Sequence, residues 1–176
     1  FSKIKSGVLS LEEKPFDLRR LAEAVEEINL PKSKEGENTM SLHYDEALSD
    51  QYIGDELRIG HILNNLVNNA AKFTSNGHIA ISVKKLGESE NKHNILFSVK
   101  DNGIGIAEDV QPFVFDQFIQ AEAGISKKYG GTGLGLAVVK GLVEAMGSHI
   151  QLTSELKKGT DVSFELLLEK PMPDLP

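Results

Sequence analysis

The spacing of apolar residues changes several times along the chain, and each change predicts an element. Leu18, Leu21, Ala22, Val25 and Ile28 recur at helical spacing behind Pro15-Phe16-Asp17, which predicts a helix with Asp17 as its N-cap. Residues 31–38 are polar and predict a turn. Met40, Leu42 and Tyr44 then alternate, a strand pattern over Thr39–Tyr44. A second helix is predicted over about 55–72, followed by a turn at Ser75-Asn76-Gly77. Strands are expected at 79–86 and 95–100, with a polar hairpin at 87–94 between them. A third helix, 136–146, stops near Gly147, and two last strands, Ile150–Glu155 and 161–169, meet at Lys157-Lys158-Gly159-Thr160. No internal repeat is visible. Mixed helices and strands with hairpin-length connections predict an α/β (α+β) two-layer sandwich, a mixed, largely antiparallel sheet with helices on one face.

Composition narrows the class. The 176 residues are 40% hydrophobic and 26% charged, enough for one sizeable core. A net charge of −7 argues against a broad phosphate-neutralising surface, so no nucleic acid partner is expected. It leaves room for an anionic ligand held by loop amides and a few lysines. The absence of cysteine removes disulfides, thiolate nucleophiles and zinc–thiolate sites, and suits the cytoplasm. No apolar run has the length of a membrane span. A chain that starts at Phe1 rather than Met is expected to be a piece of something longer.

Two features suggest chemistry. On the second predicted helix, Ile59, Ile62, Leu63, Leu66, Ala70 and Phe73 share one face, and Asn65, Asn69 and Lys72 form a polar stripe beside it. Two amides and an ammonium there could hold a hydrated cation and the phosphates it bridges, since Mg²⁺ needs only one or two protein oxygens. A merely solvated, Asn-rich face is the plain alternative. The second feature is a polar segment between two glycine clusters, Asp101-Asn102-Gly103-Ile104-Gly105-Ile106 and Gly130-Gly131-Thr132-Gly133-Leu134-Gly135-Leu136. It suggests a loop that closes over a ligand the backbone approaches closely, a nucleotide phosphate above all. Neither cluster is a Walker A loop or a Gly-x-Gly-x-x-Gly fingerprint. Asp101 ends an apolar strand, where a buried carboxylate needs donors; an adenine amino group or a turn amide would serve.

Together these motifs resemble the ATP-binding catalytic domain of sensor histidine kinases, in the superfamily with DNA gyrase, mismatch-repair ATPases and heat-shock chaperone ATPases. The resemblance runs from about Pro15 to Leu168. Residues 55–74 resemble the N box, 101–106 the first glycine box, Phe115-Asp116-Gln117-Phe118 the F box, and 131–135 the second glycine box. The resemblance implies ATP and Mg²⁺ as ligands. It implies Asn69 as the metal ligand, Lys72 on the phosphates, and Asp101 accepting from the adenine amino group. Gly103 and Gly105 would shape the adenine pocket, with Thr160 contributing its hydroxyl. Gly131, Gly133 and Gly135 would hinge a mobile lid and bring amides to the phosphates, with Thr132 and Leu134 between them also binding the nucleotide. Lys127, Lys128 and Tyr129 would close over the triphosphate, and Phe115 and Phe118 would anchor the lid base. Ser148 departs from the glycine common in the family.

Asn65 and Lys72 are the expected catalytic positions. Hydrolytic members carry a glutamate general base where this chain has Asn65, and an amide has no useful basicity near neutral pH. The resemblance therefore implies a kinase transferring the γ-phosphoryl to a histidine in two-component signalling. A nucleotide-binding pseudokinase and a hydrolytic ATPase switch are the alternatives. The family's acceptor histidine precedes Glu or Asp and then Pro on a separate dimerisation hairpin. None of His43, His61, His78, His93 and His149 has that setting, and all five are expected to be exposed. Residues 1–14 are then the end of that hairpin and a connector, 15–169 the catalytic domain, and 170–176 a proline-bearing linker. The expected partners are the parent's hairpin and a receiver domain or response regulator. The fragment is expected to be a monomer, its parent a homodimer. A cytoplasmic location is expected, whether or not the parent is membrane-anchored.

Overall fold

The computed structural model describes residues 11–115 and 133–171. In chain order the elements are β1 (Lys14–Asp17), α1 (Leu18–Glu35), β2 (Thr39–Tyr44), β3 (Gln51–Gly54), α2 (Glu56–Lys72), β4 (His78–Ser89), β5 (Lys92–Asp101), a 3-10 turn at Gln111–Phe113, α3 (Gly133–Ala145), β6 (Ile150–Glu155) and β7 (Gly159–Glu169). The strands make one sheet in the order β1-β3-β7-β5-β4-β2, and β6 pairs with β7. β2 and β4 run parallel, while the other neighbours are antiparallel. One edge of β7 serves both β6, along Gly159 to Phe164, and β3, at Glu169.

The expected two-layer architecture is present, and side-chain alternation shows why. Ile79, Ile81 and Val83 of β4, Ile95, Phe97 and Val99 of β5, and Val162, Phe164, Leu166 and Leu168 of β7 are buried, and the residues between them are not. One face of the sheet is therefore core and the other faces outward. Phe97 and Phe164 stack across β5 and β7 at 4.9 Å between centroids. The helices close the core with Ala22 and Val25 of α1, Ile59, Ile62, Leu63, Leu66 and Val67 of α2, and Val139, Leu142 and Val143 of α3. Each fully buried aliphatic side chain contributes about 1.5–3 kcal/mol.

Both capped helix starts follow local chemistry. Asp17 accepts from Arg20 N at 2.9 Å, and Asp55 accepts from Arg58 N at 3.0 Å. Asp55 also takes Glu12 N at 3.0 Å, pinning the entering chain to the start of α2.

Several expectations need correction. α1 does not stop before Pro31 but runs through it to Glu35. The lost backbone bond is offset by tertiary contacts on the buried side, where the Ser33 hydroxyl donates to Asn38 O at 3.2 Å. Ile28 is 67% exposed, and Asn29 takes the core position instead. Its amide donates to Val25 O at 2.8 Å and to Asn64 Oδ1 at 2.9 Å, so Asn64 faces α1. β1 and β3 were not expected; each has four residues, too short to show alternation. The hairpin at 87–94 is mostly strand, with β4 and β5 paired out to Ser89 and Lys92 past a register shift at Lys85/Gly87. α3 begins at Gly133, before the expected 136. His93 is buried, not exposed, because it belongs to the core-facing row of β5.

Candidate functional site

The site forms where β5 ends, α2 ends and the β6–β7 turn folds back. Asp101 is the last inward-facing residue of β5, after His93, Ile95, Phe97 and Val99, which is why it is buried. Antiparallel pairing sets Asp101 opposite Thr160 on β7. The Asp101 Oδ1 accepts from Gly103 N at 2.9 Å. Burial is the main force raising the Asp101 pKa above the ordinary carboxylate value; the Gly103 and Thr160 backbone amides and the Thr74 hydroxyl pull it down, and Asp161 pushes it up.

The first glycine box lies flat against two other segments. Ile104 N donates to Phe73 O at 3.1 Å, Ile106 N to Ser154 Oγ at 2.8 Å, and Lys157 N to Ile104 O at 2.6 Å. A Cβ at Gly103 would collide with Phe73 O, and one at Gly105 (φ +72°) with Glu155 O. Both glycines therefore serve backbone-to-backbone packing of the pocket floor. The Thr160 hydroxyl is held by Ser154 Oγ at 2.8 Å. Ser154 and Gln111, whose Nε2 donates to Ile106 O at 2.8 Å and Ser154 O at 3.0 Å, complete the floor.

The end of α2, which carries the polar stripe, meets the glycine box through the carbonyl of Phe73. Asn65 Nδ2 donates to His61 O, and Asn69 Nδ2 donates to Asn65 O, each at 3.0 Å. With its amide nitrogen spent on the helix, Asn69 keeps Oδ1 as its remaining acceptor, the group a hard cation requires. Among the described residues no three His, Cys, Asp or Glu side chains gather to hold a metal. The Lys72 pKa is lowered, first by burial and then by repulsion from Lys32 on α1. Two ammonium groups near enough to repel each other make a place where an anion is welcome.

The structure thus brings Asp101, Gly103, Gly105 and Thr160 into one cluster, which the C-terminal end of α2 meets through Phe73, with Lys72, Asn69 and Asn65 along the helix behind it. Phe118, Lys127, Lys128, Tyr129, Gly131 and Thr132 lie outside the described residues. Gly133, Leu134 and Gly135 form the first turn of α3. Sequence reasoning missed Thr74, Ser154, Gln111, Gly159 and Lys32. Of these only Gly159 had a local signal, a glycine in a turn; a Cβ there, at φ +125°, would strike Asp101 O. The others matter through contacts that no spacing encodes.

A mixed sheet with helices on one face, a carboxylate-floored pocket and an Asn–Lys helix end define a nucleotide-binding ATPase or kinase domain of the histidine kinase, DNA gyrase B and HSP90 type. The family model for histidine kinase-, DNA gyrase B- and HSP90-like ATPases matches residues 54–170, and the chain belongs to that family. Among its relatives, the signal transduction histidine-protein kinase BarA of Escherichia coli K12 is 40% identical over 169 residues, covering 96% of this chain and 18% of the relative. The sensor histidine kinase AruS of Pseudomonas aeruginosa is 37% identical over 168 residues, covering 96% and 17% respectively. Full-length ShkA in complex with AMPPNP superposes with a TM-score of 0.81 at 28% identity, over 99% of this chain and 35% of that one. The catalytic domain of the histidine kinase ThkA gives 0.69 at 25% identity, over 90% and 96%. The chain is an ATP-binding catalytic domain of the histidine kinase kind. It spans about a fifth of the length of the curated relatives it matches. Among the described residues no helix is long and apolar enough to cross a membrane.

Proposed function

We propose that this domain binds Mg²⁺·ATP and transfers the γ-phosphoryl to a histidine of its parent protein's dimerisation hairpin, the first step of a two-component relay. A receiver domain or response regulator is the next acceptor. In this reading Asp101 accepts a hydrogen bond from the adenine amino group, Thr160 lies beside the base, and Lys72 neutralises phosphate charge. Asn69 Oδ1 would hold the metal, which would supply positive charge to the phosphates. The acceptor imidazole supplies its own lone pair; the new N–P bond forms as the bond to the β-phosphate oxygen breaks, and ADP leaves. Phosphoryl transfer of this kind needs positioning and charge neutralisation above all.

The observation that carries the choice of kinase over hydrolase is Asn65. Its amide nitrogen is committed to the carbonyl of His61, and nothing at that position can take a proton from water. The test is transfer of labelled phosphate from ATP to a hairpin supplied with the chain. Labelling confined to its histidine supports the reading, and steady phosphate release without an acceptor would replace it with an ATPase switch. Nucleotide binding with no labelled acceptor points to a regulatory module. Asn69→Ala should abolish the Mg²⁺ dependence of binding in calorimetry; a preserved dependence removes Asn69 from the metal.

A further inference from the structure

We propose that Thr74 is a positioning residue for the nucleotide base: its buried hydroxyl, beside Asp101 and given room to turn by the bare Cα of Gly103, closes onto the Asp101 carboxylate when the purine amino group engages it. The inference rests on the ATP-binding reading and adds a residue to it.

Thr74 is 3% exposed, and its hydroxyl has no hydrogen-bond partner among the described residues. Such a group costs the fold stability rather than supplying it. Its surroundings nevertheless fix its direction. The Thr74 carbonyl accepts from Asn38 Nδ2 at 2.9 Å, which anchors the backbone. The methyl group faces Gly77, where an added Cβ would come within 2.7 Å of Cγ2. The hydroxyl faces Gly103, where an added Cβ would come within 2.7 Å of Oγ1. Any side chain at that glycine would crowd the hydroxyl, so the bare Cα of Gly103 leaves it room to turn.

Asp101 is the group it can serve. Oδ1 already accepts from Gly103, and the Thr74 hydroxyl acts on the same carboxyl without closing a hydrogen bond of ordinary geometry. The charge of Asp161, which lies on the outward face of β7 and accepts from Ser98 Oγ at 2.8 Å, works against ionisation of this carboxyl. A buried carboxylate that must remain an anionic acceptor gains from one more donor when a base excludes water. Thr74 is the side-chain hydroxyl in place to give it. A guanine would turn its 6-oxygen toward this carboxylate, so holding Asp101 ionised also sharpens the choice of adenine.

The test is calorimetry on the 176-residue chain with a non-hydrolysable ATP analogue and with the purine riboside triphosphate that lacks the 6-amino group. Thr74→Val should weaken the ATP analogue by about tenfold, the scale of a hydrogen bond to a charged group, and Thr74→Ser should restore it. The amino-less nucleotide should bind the native chain and Thr74→Val alike. In an Asp101→Asn background, Thr74→Val should cost nothing further. Thermal unfolding of Thr74→Val should occur no lower than in the native chain, because the lost hydroxyl supports no contact of the fold. Equal losses for both nucleotides, or no loss for either, would overturn the inference while leaving ATP binding intact. A native chain that binds neither nucleotide would overturn the ATP-binding reading and this inference with it.

Discussion

Strand β5 carries a buried ionisable side chain near each end, His93 and Asp101, and their surroundings differ in kind. At His93, residues distant in sequence close around the ring. Ser49 N donates to the Tyr52 hydroxyl at 2.9 Å, and that hydroxyl lies 2.7 Å from His93 Nδ1. Nε2 sits 3.4 Å from Glu88, an ion-pair distance without a hydrogen bond, and Tyr52 meets the ring edge-on at 5.6 Å. Asp101 is held by backbone amides of its own turn and of the paired strand, with one hydroxyl not yet closed on it. The difference separates a polar group that serves the fold from one that serves a ligand. The first has its bonding directed inward by other elements, and the second keeps acceptor capacity toward the pocket.

The contrast can be broken experimentally, and the largest effect lies between the two ends. Phe97→Ala removes a fully buried ring stacked on Phe164 and should cost about 3–5 kcal/mol in denaturant unfolding, which sets the scale for the shared core. Asp101→Asn should weaken ATP binding by about 1–3 kcal/mol in calorimetry while unfolding stability stays level or rises, since a buried charge is removed. Tyr52→Phe should do the reverse: it strips the Ser49 amide and the His93 ring of their partner, costing about 1–3 kcal/mol of stability with nucleotide affinity unchanged. An Asp101→Asn chain that loses stability, or a Tyr52→Phe chain that loses ATP, would erase the distinction.

The smallest effects are in pH, and they have opposite signs. Burial lowers the His93 pKa, with Lys85 and Lys170 adding to it and Glu88 opposing. The folded state thus binds this proton less readily than the unfolded chain. Stability from the neutral ring is present above the unfolded value of about 6.5 and is lost as pH falls through it toward the folded value. The Asp101 pKa is raised, so its contribution is full below the ordinary value of 3.8 and is lost as pH rises through the raised one. ATP affinity, which needs the ionised acceptor, should climb over that same window. Thermal melts and calorimetry across the acid range, with His93→Gln and Asp101→Asn as controls, would separate the two.

Long, strongly patterned elements were legible in the sequence: the buried face of α2, the alternation of β4, β5 and β7, and the Asp17 cap. Short strands were not, because four residues containing Pro15 or Gly54 carry no period. Nor was the passage of α1 through Pro31, where contacts by Asn29 and Ser33 outweigh a local stop signal. At the site, Asn69, Lys72 and Asp101 stood out because motifs bring them together in order. Thr74 and Ser154 did not. Their importance comes from a carbonyl gripped by Asn38, 36 residues away, and a hydroxyl paired with Thr160 across a turn.

The Asn38 side chain holds more than Thr74. Its Oδ1 takes the amide of Gly77 at 2.8 Å, as Asp101 Oδ1 takes that of Gly103. Gly77 and Gly103 follow the asparagines of the chain's two Asn-Gly steps, Asn76-Gly77 and Asn102-Gly103. In such a step the glycine nitrogen is the atom that attacks the asparagine side chain, expels ammonia and forms a succinimide. Here each of those nitrogens points its hydrogen at an oxygen and is held from that attack. The same bonds that shape the pocket floor therefore slow the chemical ageing of the protein at both of its most labile peptide steps.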